Sequence, residues 1–239
     1  MIVISSSIPK SGSTLVWCYQ QDLIERAGRK SGQSQLSKHS YQGYIDSFNI
    51  KVIATLLYLN VKFGDIVVKT HASPTLLLKG LITLGFVKAT FCYRDPRDVI
   101  LSAIDHGERT RKGLDPSGAF QDFYTVEEAI PTVKKWLKDW YRWRQLPNVL
   151  FIRYESLMDD KLIHLVELSK YLGFSLDIDT LNSIVQKQED LKNQGLAGNF
   201  NKGTVQRYQT EMSDAELKLC NEVFKKELVA MQYEDNAAQ

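Results

Sequence analysis

The chain has 239 residues, 44% hydrophobic and 24% charged, with a net charge of +2. That length holds one sizeable α/β domain or two small ones, and so slight a charge gives no case for nucleic acid or an anionic membrane as the main partner. Cys18, Cys92 and Cys220 are odd in number, without disulfide-framework or zinc spacing, and no leader-like or bilayer-length apolar run is present. A reducing, cytoplasmic setting is therefore expected, with no transmembrane segment.

Residues 2–5, opened by the apolar Ile2-Val3-Ile4, read as a first strand, and the helical periodicity of 15–27 begins directly after the loop IPKSGST, residues 8–14. Strand, tight loop and helix together make an anion cradle from backbone N–H groups and the positive end of a helix dipole. Ser11, Gly12, Ser13 and Thr14 offer N–H groups and hydroxyls, and Lys10 adds a charge. A nucleoside triphosphate loop places its lysine after the second glycine. Here Lys10 precedes Gly12 and nothing upstream supplies the first glycine, so the loop suits a phosphate-like group other than a standard triphosphate. A plain Ser-Gly turn with a helix cap fits the same letters.

Residues 29–44 are polar and aperiodic, 50–60 are helical, and 65–69 form a second strand leading into KTH. Lys69 and His71 stand two apart in extended chain and so point to one side. An imidazole accepts a proton near neutral pH, and a neighbouring lysine stabilises developing negative charge. A structural role is the competing reading for a lone histidine. After a helix at 75–84, the strand 88–93 ends at Tyr93 and Arg94 leaves it. Asp95 is placed to cap the next helix, 97–104, with Pro96 in its first turn. Arg94 and Ser102 can both reach one phosphate. Alternatively Arg94 pairs with Asp95 or Asp98, or Asp95 mimics the magnesium-holding acid of a P-loop ATPase.

Residues 106–123, with Arg109, Arg111 and Lys112, read as a second aperiodic lid-like segment. A helix at 126–144, a strand at 149–153 and helices at 161–172, 178–189 and 214–231 complete the chain, and 235–239 are expected to fray. His39, His106 and His164 read as structural or solvent-exposed, the first two being back-up bases. With no repeat or linker, one domain over 1–239 is expected. Strands alternating with helices indicate a parallel sheet covered on both faces, with ligands at the strands' carboxyl ends.

With these segments in order, the chain resembles the sulfotransferases that use 3′-phosphoadenosine 5′-phosphosulfate (PAPS). PKSGST, residues 9–14, resembles the family's 5′-phosphosulfate loop, and Arg94 followed eight residues on by Ser102 resembles its 3′-phosphate motif. KTH, residues 69–71, resembles the segment of the catalytic histidine in the cytosolic branch. IRYESL, residues 152–157, resembles the stretch whose tyrosine approaches the adenine, here Tyr154. NKG, residues 201–203, is similar to the Arg-Lys-Gly that closes over the 3′-phosphate.

The resemblance implies a three-layer α/β/α fold with a central parallel sheet, like the P-loop-containing nucleoside triphosphate hydrolases. It implies sulfuryl transfer from PAPS to a hydroxyl or amine of a small-molecule acceptor, with adenosine 3′,5′-bisphosphate as product and no metal required. His71 would be the base, Lys10 and Lys69 the charge stabilisers, and Arg94, Ser102, Lys202 and Gly203 the 3′-phosphate group. Leu15 stands where the family usually has tryptophan, with Trp17 two later, and Asn201 replaces an arginine that Arg207 or a lid arginine would have to make good. Nothing matches the family's Lys-x-x-x-Thr-Val-x-x-x-Glu dimer motif, so that dimer is not assumed. The acceptor would meet the two aperiodic segments, with Tyr41, Tyr44, Phe120, Phe123 and Tyr124 as candidate lining. A P-loop kinase-like phosphotransferase and an inactive PAPS- or nucleotide-binding protein are the alternatives.

Overall fold

The structure is a computed structural model and describes residues 1–40, 43–115, 118–194 and 203–234. It divides into two compact units, Met1–Tyr93 with Asp139–Phe200, and Arg94–Lys138 with Asn201–Gln239. In chain order the strands are β1 (Ile2–Ser7), β2 (Ile66–Thr70), β3 (Val87–Tyr93) and β4 (Val149–Arg153). The helices are α1 (Ser13–Arg26), α2 (Gln33–His39), α3 (Ile50–Phe63), α4 (Leu76–Thr83), α5 (Pro96–Arg111) and α6 (Val126–Arg144). They continue with α7 (Tyr154–Asp159), α8 (Lys161–Leu172), α9 (Ile178–Asn193), α10 (Tyr208–Glu211) and α11 (Asp214–Ala230).

The first unit is built on one parallel sheet in the order β2-β1-β3-β4. Side chains alternate across a strand, so each strand serves two faces. On one face Val3, Val67, Cys92 and Ile152 pack with Leu15, Val16, Tyr19 and Leu23 of α1, Leu165 and Leu168 of α8, and Leu181 and Ile184 of α9. None of that cluster comes from α3 or α4, which lie against β1, β2 and β3 on the other face. There Phe91 meets Phe151 and Trp143, the latter from the last turns of α6. Helix, sheet and helix make three layers. Burial from both sides explains why Ile2, Val3, Ile4, Ile66, Val67 and Val68 form unbroken apolar runs.

Strand β1 runs two residues beyond its expected end at residue 5. Ser6 pairs with Thr70 and Phe91, and Ser7 pairs with Cys92; ladder partners carry these serines along in spite of their low strand preference. The edge strand β2 is closed by side chains, since Gln33 Nε2 donates to the Val67 carbonyl while Val67 N–H donates to Gln33 Oε1, at 3.1 and 2.9 Å. That bidentate contact anchors α2, which forms where the sequence reads as aperiodic. Helix α5 likewise runs to Arg111, beyond the expected end at 104. Arg109 and Arg111 suit its last turn. Gly107 is required there because a Cβ would stand 2.2 Å from the Phe120 carbonyl.

The second unit packs α5 with α10 and α11. Arg97 is its hub. The guanidinium holds Asp95, Asn221 and Glu234 at 2.7–3.0 Å and lies 3.9 Å from the centre of the Tyr208 ring.

Trp143 is fully buried, packs 5.9 Å from Phe91 and donates its indole N–H to the Ala72 carbonyl at 3.2 Å. Trp143→Ala is expected to lower unfolding stability by about 3–5 kcal/mol in urea titration. A loss under about 1 kcal/mol would contradict the central packing assigned to it.

Candidate functional site

The loop after β1 has an unusual backbone. Lys10 has φ 66° and Gly12 φ 83°, so two left-handed residues flank Ser11. For lysine that conformation costs about 1–2 kcal/mol and is retained only where the surroundings demand it. Alternating right- and left-handed residues turn successive N–H groups into one concavity. Gly12 is the N-cap of α1 and makes no side-chain cap hydrogen bond, so the first-turn N–H groups remain for an anion. The loop is held from below, where the Cys92 thiol donates to the Ser11 carbonyl at 2.7 Å and Ile8 N–H donates to the Cys92 carbonyl at 3.1 Å. Ser11 is fully buried and its hydroxyl has no hydrogen-bond partner. Its hydroxyl thus points inward, and what Ser11 can offer an anion is its N–H.

Lys69 and His71 both turn toward this loop. Lys69 Nζ donates to Thr14 Oγ1 at 2.7 Å, and burial lowers the pKa of its amine. His71 Nδ1 lies 3.0 Å from the Ser7 carbonyl and 3.1 Å from Ser7 Oγ. A carbonyl only accepts, so Nδ1 carries the hydrogen and Nε2 holds the lone pair. Burial drives the imidazole pKa down from 6.5 to about 4, and the Lys69 and Lys10 charges act in the same direction against the Ser7 carbonyl. His71 is neutral at neutral pH. The Tyr44 ring stands 5.6 Å from the imidazole, and Tyr44 bridges Lys69 through the backbone.

Tyr154, the first residue of α7, is buried and packs on the loop. A Cβ on Gly12 would come within 2.6 Å of its ring Cδ2. Glycine at 12 is therefore fixed twice, by its φ and by the ring above it. Neither Ser7 nor the Gly12–Tyr154 contact was identified from sequence. The strand register is the signal for Ser7: Ser6 pairs with Thr70, so the next residues on β1 and β2 are Ser7 and His71.

In the second unit, Asp95 is the N-cap of α5 and Pro96 opens it, the positions the sequence gives them. Both Asp95 oxygens accept from the Arg97 side chain. Arg94 Nη2 donates to Asp98 Oδ2 at 2.8 Å and to the Thr204 carbonyl at 2.7 Å. The segment after Gly203, whose φ is 71°, thus lies at the start of α5. Ser102 is buried on the same helix. Arg207 is held by Asp105 at 2.8 Å and Glu211 at 2.7 Å. His106 Nε2 lies 2.8 Å from Asp115, and His164 of α8 lies 3.6 Å from Glu167. Tyr41, Asn201 and Lys202 fall outside the described residues, as does the side chain of His39. Among the described residues no cluster of three or more His, Cys, Asp or Glu could hold a metal ion, and no helix is long and apolar enough to cross a membrane.

Residues 2–232 match the sulfotransferase domain family. The chain belongs to that family. Sulfotransferase 1A1 of Rattus norvegicus is 24% identical over 191 residues, 77% of this chain and 63% of the relative. Luciferin sulfotransferase of Photinus pyralis is 24% identical over 253 residues, 89% and 67% of the two chains. The chain thus spans less than two thirds of the rat relative's length. Among solved structures, a mouse sulfotransferase complexed with PAP superposes with a TM-score of 0.63 at 18% identity, covering 95% of this chain and 84% of that one. Retinol dehydratase in complex with androsterone and inactive cofactor PAP gives 0.62 at 19% identity, covering 95% and 80%. The first unit's three layers are accordingly those of the sulfotransferases, which share the α/β fold of the P-loop hydrolases.

Against the sulfotransferase pattern, Leu15 is buried, and Trp17 donates its indole N–H to the Val67 carbonyl at 3.2 Å. Trp17 is thus turned to the edge strand. In the first unit, Tyr154 is the aromatic side chain packed on the loop's glycine.

Gly12→Ala is expected to cost about 1–3 kcal/mol of stability, because it adds both the φ penalty and the ring clash. Adding Tyr154→Ala should remove the clash and leave the φ penalty, a coupling that a double-mutant cycle in urea measures. Wild-type stability for Gly12→Ala would contradict the close ring packing.

Proposed function

We propose that this chain is a PAPS-dependent sulfotransferase that moves a sulfuryl group to a hydroxyl or amine of a small-molecule acceptor. The observation that carries the reading is the pair of side chains facing the loop. His71 is neutral with Nε2 as its basic nitrogen, and Lys69 reaches Thr14. Two structural neighbours are complexes with PAP, which supports the same donor. The family match runs through both units, and we take residues 1–239 as one sulfotransferase domain.

In the proposed reaction the acceptor oxygen attacks sulfur in line as the bond from sulfur to the bridging phosphate oxygen breaks. His71 Nε2 takes the acceptor's proton, an effect of about 10²–10⁴ in rate. The products are the sulfate ester, adenosine 3′,5′-bisphosphate and a proton held on His71. As in phosphoryl transfer, the protein's task is positioning and charge stabilisation. Lys10 neutralises the charge building on the bridging oxygen, and Lys69 acts at the sulfuryl oxygens. The N–H groups of Ser11, Gly12, Ser13 and Thr14 cradle the 5′-phosphosulfate, and Tyr154 meets the adenine. Arg94, Ser102, Lys202 and Gly203 hold the 3′-phosphate, whose dianion would compete with Asp98 for Arg94. No step requires a metal. Tyr44, beside the base, is the first wall of the acceptor site. We place the activity in the cytoplasm.

The kinase alternative needs an acid free to hold magnesium. Asp95 is the candidate by position, and both its oxygens accept from Arg97.

His71→Ala should reduce sulfuryl transfer, followed by mass spectrometry of acceptors incubated with labelled PAPS, by about 10²–10⁴-fold while donor affinity is kept. The base works only when neutral, and its pKa lies at about 4 instead of 6.5. Hence kcat/KM for the donor should show no acid limb near 6.5 and should fall only as pH approaches the lower value. Unfolded chain takes up the His71 proton near 6.5 and folded chain near 4, so this residue costs stability as pH falls through that window. Full turnover in His71→Ala, or an acid limb at 6.5, would remove the assignment.

A further inference from the structure

Helices α3 and α4 cover the sheet face opposite α1, α8 and α9 and leave an apolar outer surface. Inward they bury Ile53, Leu56, Leu59, Leu78 and Ile82. Outward, Val61 and Leu76 are each 86% exposed, Ile50 73%, Leu84 71% and Phe86 68%, with Leu57, Tyr58 and Leu77 also exposed. The two helices start side by side, where Thr75 Oγ1 donates to the Phe48 carbonyl at 3.0 Å. Their far ends lead into the first residues of β2 and β3. Both therefore run antiparallel to the strands, α3 over β1 and β2 and α4 over β3. Single exposed apolar side chains are ordinary, but six on these two helices with two more in the turn after α4 mark a candidate docking surface.

The charge pattern selects the partner. Residues 47–93 contain one acid, Asp65, against Lys51, Lys62, Lys69, Lys79 and Lys88. Asp65 is buried and paired with the Met1 amine and Arg29. Lys51 and Lys62 are exposed among the apolar side chains. Lys62 Nζ donates to Tyr58 Oη at 2.8 Å, which joins an ammonium and a phenol, the two groups that sit at lipid headgroup level. A second copy of the same face would set lysine against lysine. An anionic partner is needed.

Backbone geometry at the end of α4 fits an apolar medium. Gly85 has φ 79°, its N–H donates to the Ile82 carbonyl at 3.0 Å, and Phe86 N–H donates to the Leu81 carbonyl at 3.0 Å. Such a helix end normally packs its following apolar residue back on the helix, yet here Leu84 and Phe86 project outward on either side of the glycine. With those amides satisfied, the turn can leave water without carrying unpaired N–H groups.

We propose that the outer face of α3 and α4, with the Leu84–Gly85–Phe86 turn, docks on an anionic phospholipid bilayer. The slight net charge of the chain conceals this surface because its lysines are balanced by acids elsewhere. Apolar side chains enter the acyl boundary and Lys51 and Lys62 meet the headgroups, a mode that needs no spanning segment. The inference is independent of sulfuryl transfer.

The test is co-sedimentation of the full chain with phosphatidylserine–phosphatidylcholine vesicles and with phosphatidylcholine vesicles. Binding to the acidic vesicles, released by salt, is expected. Lys51→Gln and Lys62→Gln should each weaken it by about fivefold, and Val61→Asp with Phe86→Asp should abolish it. Lys225→Gln with Lys226→Gln, on exposed α11 positions, alters net charge by the same amount as the first pair and should leave binding unchanged. No binding to acidic vesicles, equal binding to neutral ones, or an equal loss in the α11 control overturns the proposal. So does a dimer in sedimentation velocity that Val61→Asp dissolves, since a second copy would then be the occupant.

Discussion

The site depends on β1 being paired along both edges by parallel strands. A strand enclosed in this way releases its chain only at the carboxyl end, and there the chain must turn at once into α1. That constraint puts Lys10 and Gly12 in left-handed conformations, presents first-turn N–H groups without a side-chain cap, and sets Ser7 beside the first residue after β2. The same rule of parallel sheets brings the ends of β2 and β4 to the loop, with Lys69, His71 and Tyr154 on them. Unpairing β1 from β2 would remove the carbonyl that fixes the His71 tautomer and the lysine that reaches Thr14.

Electrostatics follow from this convergence. Two lysine charges act on an imidazole already disfavoured in its charged form by burial. In the proposed reaction the donor's phosphosulfate offsets those charges, so the imidazole becomes more basic once the donor is in place. A base that strengthens when its partner arrives holds its proton least when the donor is absent. In the second unit, buried charges are instead matched locally: Arg97 by Asp95 and Glu234, Arg207 by Asp105 and Glu211, Arg94 by Asp98. Such pairs fix geometry more than they add stability.

Much of this was legible in the sequence, for identifiable reasons. Short runs of β-branched and aromatic residues located the four strands, period-3.6 patterns located the long helices, and Asp95-Pro96 announced the start of α5. What escaped were features set by tertiary contact. The polar end of β1 is carried by its neighbours' ladders, α2 is held by the Gln33 amide on Val67, and α5 passes the Phe120 carbonyl where only a glycine at 107 fits. Ser7 matters through its carbonyl, which no side-chain motif records. Tyr154 could be singled out by resemblance, but its seat on Gly12 needed the fold. The choice between Arg94 reaching a phosphate and Arg94 pairing with Asp95 or Asp98 was open in the sequence, and the Asp98 pair is present.

The central proposal is that the chain binds an adenosine carrying phosphates at both 3′ and 5′ positions. Isothermal titration of the full chain with adenosine 3′,5′-bisphosphate in the presence of a chelator tests it most directly. The account predicts saturable one-to-one binding that adenosine 5′-phosphate reproduces only weakly. Absence of binding, or heat appearing only with ATP and magnesium, would contradict it.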